Sequence, residues 1–134
     1  MLSVIILTAT MTVSPTETKP LVLHTVFLGS LVATSYRSVP RQTKPCPGCF
    51  YTSIGERVCR DGVAVSQDML KDGRVKYGDW LFIGGGIGLK RVNDCMNARW
   101  KNRIDIWLET YEQEKAFDRR FRGTTVEIWR VEAH

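Results

Sequence analysis

The sequence predicts a mainly β domain, a small barrel or sandwich with one or two short helices. Three observations carry this. Short apolar segments rich in Val, Ile and Trp recur through the second half of the chain. Glycines punctuate them at turn spacing, and a single stretch has the signals of an amphipathic helix.

Taken in order, the chain opens on "MLSVIILTATMTV", an apolar run without a basic residue before it. It has the length of a signal-peptide core but lacks the positive lead, and it is too short for the roughly 20 residues of a membrane span. Residues 1–20 are expected to be either a weak export segment or an extra N-terminal strand followed by the proline-flanked linker "SPTETKP". Residues 21–134 are expected to form one domain. Their first run, "LVLHTVFLGSLVATSY", is rich in Val, Leu and Thr and supplies one or two strands. From Tyr36 to Phe50 the prolines and Gly48 predict a loop. Strands are then predicted at 61–66, 79–84, 89–95, 103–108 and 124–131. The run Gly84-Gly85-Gly86 with Gly88 has no following Lys-Ser pair or helix start, so it reads as a hairpin turn rather than a phosphate loop. The helix begins at Thr110, whose T-x-x-Q spacing to Gln113 is a capping box, and Gly123 ends it. Core candidates near the C-terminus are Ile104, Ile106, Ala116, Phe117, Val126 and Ile128.

With 134 residues the chain is long enough to bury a core without metal or disulfide staples. Nineteen Lys and Arg against fourteen Asp and Glu leave a net charge of +5, all of it in residues 35–134, which favours an anionic partner. The basic residues do not form a recognition helix or an aromatic stacking motif, so nucleic acid is not expected as a partner. Cys46, Cys49, Cys59 and Cys95 give an even count. In an exported chain that predicts two disulfides of unresolved pairing. A four-thiolate zinc site would usually show a second close pair, and a thioredoxin-like site would open a helix where this chain has Pro45, Pro47 and Gly48.

The segment "VNDCMNARWKNRIDIWLETYEQ" concentrates the chemistry. Strand alternation sends Ile104 and Ile106 to the core and Arg103, Asp105 and Trp107 to the other face, a surface suited to a polar ring. The plain alternative is an exposed Asp105 paired with Arg103.

The order "VAVS", "YGDWLFIGG", "VNDCMNARWKNRIDIWLETYEQEKAF", "GTTVEIW" resembles the three-aspartate (3D) domain. That family has a six-stranded double-psi β-barrel and includes membrane-bound lytic transglycosylase A, spore and phage wall enzymes, and relatives of rare lipoprotein A and expansins. The likeness extends over roughly residues 30–131. Asp94 and Asp105 match two of the family's aspartates and Trp107 its strand aromatic. Ser66 stands where the first aspartate would be, with Asp68 two positions on, and "CMNARWKN" replaces the family's small turn. "ATSY" resembles the opening "TAY", making Tyr36 a groove candidate.

The resemblance implies a peptidoglycan-cleaving lytic transglycosylase, an exported, periplasmic or wall-associated protein and a candidate phage lysis enzyme. It implies a monomer that uses no cofactor or metal. Asp105 would be the acid/base and Asp94 its electrostatic partner, with the reverse assignment open. Trp100 and Trp107 would stack sugars, Trp100 as the more exposed, and Asn97 and Arg99 would contact N-acetyl or lactyl groups. A noncatalytic glycan-binding module of the expansin type is the alternative, and a cytosolic zinc-dependent interaction domain a third.

Overall fold

The computed structural model describes residues 2–7, 21–38 and 51–133. Along them lie β1 (Leu2–Leu7), β2 (Leu21–Tyr36), β3 (Gly62–Val65), α1 (Gln67–Lys71), β4 (Trp80–Ile83), β5 (Gly88–Cys95), β6 (Arg103–Trp107), α2 (Tyr111–Phe121) and β7 (Thr125–Ala133). The strands form one sheet in the order β1-β2-β6-β3-β5-β4-β7, and β7 returns to pair with β2. Six strands therefore close into the expected barrel, and β1 is the extra N-terminal strand, antiparallel to the first part of β2. None of the described helices is long and apolar enough to cross a membrane.

The run 21–36 is one strand. It serves β7 through residues 23–32 and β6 through residues 32–36. A strand this long must bend to stay on a closed barrel, and the register shift between Phe27 and Gly29, with Gly29 at φ 116°, supplies the bend.

The connectivity is crossed. β2 and β6 are parallel, as are β3 and β5, while β3 and β6 run antiparallel between them. The connection from β2 to β3 must pass the C-terminal end of β6, and the connection from β5 to β6 must pass the C-terminal end of β3. Two crossings at opposite ends of adjacent strands give the barrel its double-psi form.

Alternate residues fill the interior: Leu31 and Ala33, Val63 and Val65, Leu81 and Ile83, Val92, Ile104 and Ile106, Val126 and Ile128. Each valine, leucine or isoleucine so buried contributes about 1.5–3 kcal/mol. Met69 of α1 and Phe121 of α2 join this core. The helices follow antiparallel strands, so they plug opposite ends.

Thr110 caps α2 as its spacing predicts, with both hydrogen bonds of the box formed. Gly123, at φ 72°, follows it. The core prediction needs one correction here. Ala116 is exposed, and Phe121 is the buried helical residue, with Phe117 half-buried beside it. Positions 114, 117 and 121 share the inward face of a helix, and 116 does not. Phe121 settles onto the glycine hairpin between β4 and β5, where a Cβ on Gly85 would lie 2.8 Å from its ring.

Candidate functional site

Asp105 and Asp94 meet on the outer wall of the barrel. In β6, Ile104 and Ile106 point inward, and Asp105 faces out between them. Register places Thr34 of β2 beside Asp105, Ala64 of β3 on its other side, and Asp94 of β5 beside Ala64. The two carboxylates thus flank one alanine, across two strand spacings of about 4.8 Å each. A larger residue at 64 would fill the space between them.

This arrangement depends on an irregularity in β5. Val92 pairs with Val63 and faces the core, so strict alternation would turn Asp94 inward as well. The register shifts between Val63 and Ala64, and Asn93 becomes the extra residue. The bulge reverses the parity of the strand and delivers Asp94 and Met96 to the outer face. Asn93 is itself buried, with its amide 3.9 Å from the Cys59 sulfur. It fits because residue 62 is glycine, where a Cβ would come within 2.6 Å of the Asn93 amide nitrogen.

The two aspartates have different environments. Asp94 accepts hydrogen bonds from the Tyr36 hydroxyl (3.1 Å) and from the backbone N–H groups of Ser53 and Cys95 (2.9 Å each). Asp105 accepts one, from the Thr34 hydroxyl at 2.9 Å. Burial raises the Asp105 carboxyl to about 6, helped by the charges of Asp94 and Glu114 and opposed by the Thr34 hydrogen bond and Arg103. Tyr36, buried and bonded to Asp94, has its phenol pushed far above the ordinary value, first by burial and then by the Asp94 charge. It stays a donor to Asp94 across the physiological range.

The other candidates line the two ends of this groove. Trp100, before the N-terminal end of β6, and Trp107 are both half-buried and pack against the cluster of Tyr36, Ala64 and Met96, and the Arg103 and Arg99 guanidiniums lie 4.1 and 4.7 Å from the Trp100 ring centroid. Trp100 and Trp107 are thus alike in being partly exposed, and part of the Trp100 ring is taken by the two arginines. Arg103, held there, forms no ion pair with Asp105. Asn97 and Arg99 are exposed, and the Asn97 side-chain oxygen accepts the Arg99 backbone N–H at 3.0 Å. At the C-terminal end, Trp107 is half-buried and donates its indole N–H to Ser38 Oγ at 3.0 Å. It forms one wall of a cleft of about 460 Å³.

Ser66 directly follows β3. It is buried, and its hydroxyl accepts the Arg103 backbone N–H at 3.1 Å. Asp68 accepts from the Asn102 N–H and from Arg74, each at 3.0 Å, bracing the turn that carries Trp100. Burial pushes the Asp68 carboxyl up, but hydrogen bonds from Ser66, Asn102 and Arg74 outweigh it and hold the group below its ordinary value.

Cys59 and Cys95 are free thiols, so the expected disulfides are not formed between described residues. The reason is placement. Cys59 precedes β3 with its sulfur against Asn93, whereas Cys95 pairs with Val65 at the far end of that strand. Cys46 and Cys49 lie outside the described residues, as does most of the 36–50 loop. Among the described residues no three His, Cys, Asp or Glu side chains gather in a way that would hold a metal.

Sequence reasoning did not single out Thr34, Ser53, Ala64 or Asn93. The only visible hint was the pair of small residues Gly62 and Ala64 in "GVAV". No known family's sequence profile matches the chain, and no curated protein matches it.

Proposed function

We propose that the chain cleaves the β-1,4 bond between N-acetylmuramic acid and N-acetylglucosamine in peptidoglycan, as a lytic transglycosylase with Asp105 as its acid/base. The observation that carries this reading is a carboxyl raised to about 6 on an outward-facing wall, one alanine away from a second aspartate. The likeness of residues 92–108 to the three-aspartate domain points to the same substrate.

The chemistry needs one proton donor that later becomes an acceptor. Protonated Asp105 gives its proton to the glycosidic oxygen as the bond from that oxygen to the muramyl anomeric carbon breaks. The muramyl 6-hydroxyl attacks the same carbon, and the Asp105 carboxylate takes the hydroxyl proton. The carboxyl is thereby restored, water is not consumed, and the product is the 1,6-anhydro sugar. An intramolecular nucleophile explains why a second acid/base carboxylate is unnecessary. Asp94, fixed by three donors, acts electrostatically on Asp105 and on the developing positive charge of the sugar. Such an enzyme works in the periplasm or wall, encoded by a bacterium or by a phage for lysis.

A noncatalytic glycan-binding role is favoured by one observation, that Ser66 holds the Arg103 backbone where the resembled family has an aspartate. Purified peptidoglycan incubated with wild type and Asp105→Asn, with mass spectrometry of the soluble fragments, separates the readings. Anhydro-muropeptides from wild type alone support the transglycosylase, and reducing ends indicate a hydrolase. Release by neither protein leaves the binding module.

A further inference from the structure

The cleft beside Trp107 has a composition that the acid/base pair does not require. Arg37, Arg57 and Arg60 line it together with Ser38, Trp107 and a single acidic residue, Glu109. With Glu109 in the lining and Glu114 paired to Arg37, three guanidiniums face two carboxylates, and the cleft keeps one positive charge in excess. Arg37 is joined to Glu114 at 3.4 Å, and Arg60 reaches Glu109 at 3.0 Å through a pair whose side chains are 81% and 51% exposed. An ion pair that exposed is easily exchanged for another anion. Arg57 makes no ion pair among the described residues.

Position gives this charge a meaning. Trp107 stands two residues beyond Asp105 on the same face of β6, so the cleft begins about 6.5 Å along the strand from the acid. With its indole N–H committed to Ser38, Trp107 lines the cleft as an apolar wall. A sugar held over Asp105 would therefore direct a substituent on its neighbouring carbons toward a site with a flat wall and several guanidinium forks. Guanidinium pairs with carboxylate through two parallel hydrogen bonds, which fixes orientation as well as charge.

We propose that this cleft is a subsite for the carboxylate carried on the 3-substituent of the muramyl residue, with Arg57 and Arg60 as its exchangeable partners. The inference rests on the glycan-cleaving reading of the groove and adds to it a source of substrate selectivity. A carboxylate there distinguishes a muramyl sugar from N-acetylglucosamine, which is neutral at that position. The groove would then place the muramyl residue at the Trp107 end and thereby fix the direction of the glycan strand.

The test is equilibrium binding by calorimetry, in low and physiological salt, using Asp105→Asn to prevent turnover. Three probes are compared: the neutral disaccharide of N-acetylglucosamine, the N-acetylglucosaminyl–muramic acid disaccharide with a free lactyl carboxylate, and the same disaccharide bearing its peptide. Tighter binding of at least one anionic probe, about tenfold over the neutral one and lost in Asp105→Asn with Arg57→Gln and Arg60→Gln, is the expected result. Preference for the second probe assigns the lactyl group, and preference for the third assigns a peptide carboxylate. Equal binding of all three, or an anionic advantage that survives both arginine substitutions, overturns the subsite while leaving the glycan reading intact. Binding of none of the three overturns both. Because Arg57 and Arg60 are exposed, an unchanged urea midpoint in the variant shows that any loss is local.

Discussion

Replacing Asp105 by asparagine should stabilise the protein, and only above mildly acid pH. The carboxyl sits at about 6 in the folded chain against an ordinary value of 3.8. Folding therefore favours the protonated acid. The stability linked to this group is complete below pH 3.8, falls as pH rises from there to about 6, and is constant beyond. The interval corresponds to about 3 kcal/mol at 1.36 kcal/mol per pH unit. Some of this is screened, because Asp105 is half-buried and keeps contact with water, so about 2 kcal/mol is expected. Asparagine has the size of the protonated acid, can accept the same Thr34 hydrogen bond, and does not ionise. Urea unfolding of both proteins at pH 4, 5, 6, 7 and 8 gives the difference directly, since other titrating groups largely cancel. The two should be nearly equal at pH 4. The variant should gain progressively to pH 6 and hold a lead of about 2 kcal/mol above it, about 5–8 °C in melting temperature for a domain of this size. A difference that does not vary with pH, or a variant that loses ground as pH rises, would show that Asp105 is not held protonated by its surroundings.

Three further outcomes are expected. On peptidoglycan, kcat/KM of the wild type should be level below about pH 6 and fall tenfold per pH unit above it, and Asp94→Asn should move that limb to lower pH by removing a charge that raises Asp105. Gly62→Ala should cost about 1–3 kcal/mol in urea unfolding, because its methyl would press on the buried Asn93 amide, and Gly62→Ala combined with Asn93→Ala should recover part of that loss. Thr110→Ala should cost about 1 kcal/mol by removing the cap of α2, with the pH dependence of activity unchanged.

Gly62 and Asn93 also explain which parts of the molecule were legible in the sequence. Strand existence was legible because alternation and glycine turns are local signals, and the helix start because a capping box is contained in four residues. Residues 104 and 106 could be assigned to the core because β6 alternates without interruption. Ala116 could not be excluded from the core in the same way, since the four apolar residues of α2 leave the phase of the helix undetermined until Phe121 is seen against Gly85. The two arginines against the Trp100 ring come from its own loop and from β6, and only folding brings all three together. The pairing of Asp94 with Asp105 was the hardest to derive. By alternation alone Asp94 belongs with Val92 in the core, and a carboxylate sealed there would carry a large desolvation penalty. The chain avoids that penalty by spending one residue, Asn93, on a bulge, and it makes room for the bulge with a glycine on the neighbouring strand. A spacing of eleven between two aspartates therefore specifies a shared face only in combination with Gly62, which lies thirty-one positions before Asn93 and meets it through the crossed pairing of β3 with β5.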